Sequence, residues 1–200
     1  MQISNTALSI PIERYIINFM DEVPLPDEGK LCVQYEIQGS TARFYRPIDQ
    51  HPPLVDKDEI ENLFKCLNVD SILEIFTAIL LERKILFISQ HKALLTQVIN
   101  CFVSFIFPFQ WKHSLIPILP SSMIDILDAP FPFIIGVDAC HDSSYLDFED
   151  VIRIDLDVGQ VTTPEEILLQ SQMPKLPSKE GRQLKQRLLK ASEHITMIPD

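Results

Sequence analysis

Ser89-Gln90-His91 sets a hydroxyl two positions from an imidazole, the residue types of a nucleophile and its general base. Three carboxylates, Asp125, Asp128 and Asp138, fall near expected element ends, where acids and bases often sit. Glu82-Arg83-Lys84 places three charges between two apolar runs. Each has a structural counterpart. Ser89 and His91 suit a strand end that caps the next helix. Asp125 suits a helix cap. Glu82 suits a loop anchor or the partner of a buried cation. Trp111, the only Trp, is either a core anchor with its N–H bonded or an aromatic that faces a partner. The structural readings are the ones adopted, with Asp138 kept as a functional candidate because it follows a strand.

No P-loop, dinucleotide fingerprint, nucleophile elbow or H-E-x-x-H motif occurs. The chain has five glycines against fifteen prolines, which argues against a phosphate-cradling loop. Cys32, Cys66, Cys101 and Cys140 lie far apart, without C-x-x-C spacing; Cys66 and Cys101 fall within apolar patterns and read as small core residues. A reducing, cytoplasmic setting is expected, with recruitment to membranes as its extension. No cofactor and no metal are expected.

The formal net charge is −11, which sets nucleic acid aside as a partner. The charge is uneven. From Lys175 onward six Lys/Arg face three Asp/Glu, leaving −14 on the remainder. A basic tail on an acidic body reads either as a solvated helix face or as a peripheral contact with a membrane surface or a partner. The uncharged run from Ala93 to Trp111 invites a membrane reading, but Thr96, Gln97, Asn100, Ser104 and Gln110 interrupt it; a buried helix ending at Pro108 is expected.

The elements follow from period and punctuation. Ile10–Met20 predicts a short helix with a stripe of Ile12, Tyr15, Ile16 and Phe19. Leu31–Ile37 alternates, turns at Gln38-Gly39-Ser40 and returns over Thr41–Arg46 as a hairpin. Glu59–Leu67 is a helix. Ser71 and Glu74 match a capping box at the head of a helix reaching Arg83. Lys84–Ser89 is a buried strand, and His91–Phe107 a long helix. Leu115–Leu119 is a strand that Pro117 confines to an edge or a strand start. Ser122 and Asp125 read as a second capping box for Met123–Leu127, and Phe133–Val137 is the next strand. Cys140–Asp150 is an acidic loop. Val151–Asp157 alternates with Ile152, Ile154 and Leu156 inward. Gly159–Gly181 reads as a connector, and Leu184, Leu188, Ala191 and Ile195 form a narrow stripe that needs something to bury it. The organisation expected is an α/β lobe over 1–160, a connector over 161–181 and a basic amphipathic helix over 182–200. The fold class is α/β, a layered sandwich with a central mixed sheet flanked by helices.

ILLERKILFIS followed by FPFQWKHSLIPILPSSMIDILDAPFPFIIGV resembles the central segment of DENN domains, and PIERYIINFMDEVPLPDEG resembles the lead-in to it. The likeness covers roughly residues 8 to 160 and rests on an ordered set: Pro11-Ile-Glu-Arg-Tyr15, Pro24-Leu-Pro26, Leu81-Glu82-Arg83, Pro108-Phe-Gln-Trp111, Ile116-Pro117, Leu119-Pro120, Ala129-Pro130 and Ile135-Gly136. The resemblance implies guanine nucleotide exchange on a Rab-type small GTPase, by favouring the nucleotide-free form. It also implies two companions expected outside this chain, an upstream longin-like lobe and a downstream helical segment, with the Leu184 stripe leading into the latter. Exchange forms no covalent bond, so the expected site is a surface with no catalytic residue; whether the chain counts as an enzyme stays open. The surface is expected on the connections holding Gln110, His113, Ser121, Ser122, Asp128 and Asp138. The alternative is a non-catalytic interaction scaffold on the same fold.

Overall fold

The computed structural model describes residues 11–27, 29, 32–37, 39–44, 46, 55–139, 150–164 and 176–196. The chain divides into two compact units, Met1–His51 and Pro52–Asp200.

In the first unit, helix α1 (Ile12–Glu22) starts after Pro11, which stands at the N-cap. Strands β1 (Val33–Ile37) and β2 (Ser40–Phe44) pair antiparallel, and Gly39 takes the left-handed conformation (φ +81) that so tight a turn requires. Phe19 packs at 5.7 Å from the Tyr35 ring and 5.2 Å from the Phe44 ring, and the Tyr35 hydroxyl donates to Asn18 Oδ1. The predicted stripe of α1 is therefore only partly used. No residue of this helix is buried, and Ile12, Ile16, Ile17 and Met20 are exposed.

The second unit is a layered α/β sandwich. Helices α2 (Lys57–Cys66), α3 (Val69–Leu80) and α4 (Lys92–Phe105) accompany strands β3 (Lys84–Ser89), β4 (Ser114–Ile116), β5 (Phe133–Asp138), β6 (Val151–Asp155) and β7 (Gln160–Thr162). The sheet order is β4-β5-β3-β6-β7; the first four strands run parallel and β7 closes the edge antiparallel to β6. A parallel sheet must be covered on both faces, which explains the near-continuous apolar runs KILFIS and FIIGV. One face carries Ile85, Phe87, Ile134, Ile152 and Ile154 against the three helices. Phe87 meets Phe102 of α4 at 5.7 Å. Each fully buried side chain of this size is worth about 1.5–3 kcal/mol. The other face carries Leu86, Phe133, Ile135, Val137 and Val151. It is covered by Leu119 and by the 3-10 helix Ser121–Asp128, whose Leu127 is fully buried.

Several local expectations are corrected. Ser71 does not cap α3: the cap is Asn68, whose Oδ1 accepts from the Ser71 N–H at 2.9 Å. The Asx side chain stands three residues before the expected cap and takes the N3 donor of a helix that begins earlier, at Val69. Ser122 does not cap either. Pro120 takes that position without a side-chain bond, and the segment winds as a 3-10 helix with Met123 off helical geometry. Strand β7 was missed inside the expected connector, because three residues carry too little alternation to register. Part of the stripe on helix α5 (Ser178–Thr196) finds cover within this chain: Leu184 and Leu188 line an apolar groove of about 190 Å³ with Ile72, Leu73, Phe76 and Phe105, whereas Ala191 is exposed. The Ile195 side chain, most of the Cys140–Asp150 loop and residues 165–175 of the connector lie outside the described residues.

Beyond β4 the chain crosses close to β5. The Leu119 N–H donates to Gly136 O at 2.7 Å, and a Cβ on Gly136 would stand 2.1 Å from Pro117 O. Only glycine admits this approach. Pro117 thus ends the edge strand while its carbonyl packs on the neighbouring strand.

Candidate functional site

The parallel strands bring two sets of polar residues to opposite edges of the sheet. At the carboxyl edge, Ser89 ends β3 beside Asp138 of β5. Ser89 Oγ donates to Asp157 Oδ1 at 2.7 Å and accepts from the His91 N–H at 3.0 Å. The second Asp157 oxygen accepts from the Gln90 N–H at 2.8 Å. Asp155 Oδ1 accepts from the N–H groups of Asp157 (2.9 Å) and Val158 (3.2 Å). Gly159 (φ +70) completes that turn where a Cβ would meet Cys66 O at 2.6 Å. Asp138 pairs with Lys92 at 3.2 Å. Ser89 therefore meets His91 through the backbone, and its hydroxyl faces a carboxylate with no imidazole between. This network fixes turns; it is not a nucleophile–base pair. His91 stands at the N-cap of α4 without a side-chain cap bond, so the capping role expected for its side chain is corrected to one for its backbone.

The amino edge is organised by Glu82. Helix α3 closes with Arg83 N–H donating to Ala78 O and Glu82 N–H to Ile79 O, the two bonds of a Schellman motif. Its left-handed position, usually glycine, is Glu82 (φ 52). The Glu82 carboxylate lies 3.2 Å from His113 Nε2 and is exposed. Glu82 thus faces the neighbouring connection through half-exposed His113, the loop contact expected for it, and not a buried cation. The His113 ring packs edge-on against Trp111 at 5.2 Å. Trp111 Nε1 donates to Ser114 O at 3.1 Å, and the indole packs on the main core. Trp111 is thus a core anchor, and it holds the short connection that carries Gln110, Lys112 and His113.

The six residues expected at the surface separate by this geometry. Gln110 and His113 precede β4 and Asp128 precedes β5, so these three lie toward the amino edge. Ser121 and Ser122 follow β4 and Asp138 ends β5, toward the carboxyl edge. Gln110, Ser121, Ser122 and Asp128 are exposed, whereas Asp138 is 13 % exposed. Between the two groups run edge strand β4 and the segment after it, where Leu115 and Ile118 are each 40 % exposed, with Met123 and Phe131 exposed nearby. Sequence reading missed this apolar rim, because Leu115 and Ile118 carry the pattern of core residues. Only the strand order places them at an edge. It also missed Asp155 and Asp157, although Asp-x-Asp-Val-Gly is a turn signature that could have marked them.

Two thiols, Cys101 and Cys66, are held in the neutral form by their surroundings. Burial pushes the Cys101 thiol up to about 12, with the Glu59 carboxylate acting in the same sense. Burial also raises Cys66, with Asp157 adding to it. Among the described residues, no group of three or more His, Cys, Asp or Glu is arranged to hold a metal ion, and no helix is long and apolar enough to cross a membrane.

With this geometry in view, the chain matches the DENN (AEX-3) domain family over residues 1–159. It is 34 % identical over 180 residues to the DENN domain and WD repeat-containing protein SCD1 of Arabidopsis thaliana, covering 90 % of this chain and 15 % of that protein. It is 33 % identical over 156 residues to the human DENN domain-containing protein 2C, covering 75 % of this chain and 16 % of that protein. The Elicitor of plant defense protein 1 of Gibberella zeae is 29 % identical over 184 residues, covering 92 % and 16 % respectively. The chain spans less than a fifth of the length of these relatives. The match over residues 1–159 agrees with the ordered motifs and the layered sheet: the chain belongs to the DENN domain family.

Proposed function

We propose that this chain is the central lobe of a guanine nucleotide exchange factor for a Rab-type small GTPase, acting in membrane traffic. The observation that carries the reading is the family match over residues 1–159. Exchange needs no nucleophile. It needs a surface that binds the nucleotide-free GTPase better than the loaded one, and so lowers the cost of release. A rigid sheet whose polar edge groups are spent on holding turns is suited to that task.

The proposed interface runs along β4 and the ends of β5. It joins Gln110, His113 and Asp128 to Ser121, Ser122 and Asp138 across exposed Leu115 and Ile118. The two groups are compatible with one partner. A six-residue strand is about 20 Å long. A standard interface buries about 800 Å² on each side, a disc roughly 30 Å across. The remaining parts of the family module, a longin-like lobe and a downstream helical segment, are proposed as companions. The setting proposed is cytoplasmic, with recruitment to membranes.

The test is release of a fluorescent guanine nucleotide from a panel of Rab proteins by this chain and by the longer protein carrying it. Acceleration for at least one Rab, reduced tenfold or more by Leu115→Asp in a folded variant, is expected. No acceleration by either would refute the exchange reading and leave an interaction scaffold on the same fold.

A further inference from the structure

Helix α5 carries five Lys/Arg against two Asp/Glu, a net charge of +3, in a chain whose total is −11. Its inner side is committed. Gly181, Leu184, Lys185 and Leu188 are half-buried, with both leucines on the groove against α3 and Lys185 paired with Asp70. Successive residues turn by about 100°. The opposite half of the helix therefore holds Lys179, Arg182, Gln183, Gln186, Arg187 and Lys190, all exposed. Two exposed carboxylates accompany them: Glu193 on that half and Glu180 at its margin, between Lys179 and Arg182 in the chain.

We propose that this outward face of α5 binds an anionic phospholipid surface, with the helix lying flat on it. Three features favour a membrane over a shaped protein partner. The basic groups are long exposed side chains spread along a helix of about 28 Å. Amides lie among the later ones: Gln183, Gln186, Arg187 and Lys190 line one shallow concavity. Leu189, 42 % exposed, flanks the same side and suits the headgroup boundary. The inference is independent of the exchange reading, which concerns the β4 edge.

The test is sedimentation of the full chain with phosphatidylcholine vesicles, alone or with phosphatidylserine added to reach the surface potential of a cytoplasmic leaflet, about −30 mV. Binding to the anionic vesicles only, weakening as salt rises, is expected. Each basic residue near such a surface changes binding by about fivefold. Arg187→Gln with Lys190→Gln should lose about 30-fold, and Gln183→Lys with Gln186→Lys should gain a comparable factor, each variant keeping the wild-type circular dichroism. Equal binding to both vesicle types, none to either, or variants that bind as wild type would overturn the proposal. So would retention of the chain by acidic proteins with no vesicle binding.

Discussion

Replacing Gly136 by alanine tests the packing that holds the proposed interface. The new Cβ would stand 2.1 Å from Pro117 O, 3.0 Å from Pro117 C and 3.3 Å from the Ile99 Cδ1. Carbon–oxygen contacts normally begin near 3.3 Å, so the overlap exceeds about 1 Å. It is with backbone, which cannot rotate away. The segment after β4 must lift, and the bond from the Leu119 N–H to Gly136 O, 2.7 Å long, is lost or stretched. Overpacking of this kind costs about 1–3 kcal/mol, and the hydrogen bond about 0.5–1.5 kcal/mol. A loss of about 2–4 kcal/mol is expected, or roughly 4–16 °C in Tm for a chain of this size. Thermal and urea denaturation measure it. Gly181→Ala is the control: there the close neighbour is the Leu176 side chain at 3.1 Å, inside a helix that favours alanine. That variant should stay within about 1 kcal/mol of wild type. If Gly136→Ala were as stable as Gly181→Ala, the close crossing of β4 over β5 would be wrong.

Three further outcomes are expected. Asn68→Ala should lose about 0.5–2 kcal/mol in denaturant unfolding, the usual range for a helix cap, while Ser71→Ala stays within about 0.5 kcal/mol; equal effects would restore Ser71 as the cap. The Cys101 thiol, held neutral up to about 12 by burial, ionises near 9.0 once unfolded. Above that value the unfolded chain loses a proton that the folded chain keeps, so stability falls as pH rises. Between pH 9 and pH 10 the wild type should lose about 1 kcal/mol more than Cys101→Ala, and parallel pH profiles would refute the burial effect. With a thiol reagent at pH 8, Cys32 should label in the native state and Cys101 only after unfolding; equal labelling rates would contradict the buried position.

Sequence reading recovered the elements whose period is unmistakable. Lys84–Ser89 has the bounds it was assigned, and Ile152, Ile154 and Leu156 point inward as their alternation required. The edge position expected from Pro117 also holds, but the strand ends at Ile116, so Pro117 follows it instead of lying inside a strand over Leu115–Leu119. What escaped depends on non-local facts. A three-residue strand such as Gln160–Thr162 exists only because β6 offers it an edge. The burial of Leu184 and Leu188 depends on α3, more than a hundred residues earlier in the chain. The apolar rim at Leu115 and Ile118 is visible only once the strand order is known, because nothing in the segment itself separates an edge strand from a central one. The six candidate surface residues sit on connections or at a strand end, and the sequence by itself does not specify which sheet edge each occupies. The geometry therefore divides them into two groups.

The proposed exchange activity requires a preference for the empty GTPase. Its direct measurement is the equilibrium affinity of this chain, within a longer protein carrying it, for a Rab in its nucleotide-free and GDP-loaded forms. The nucleotide-free form should bind at least about tenfold tighter, a difference of about 1.4 kcal/mol, and Leu115→Asp should abolish the difference. Equal affinity for the two forms, or tighter binding of the loaded one, would contradict it.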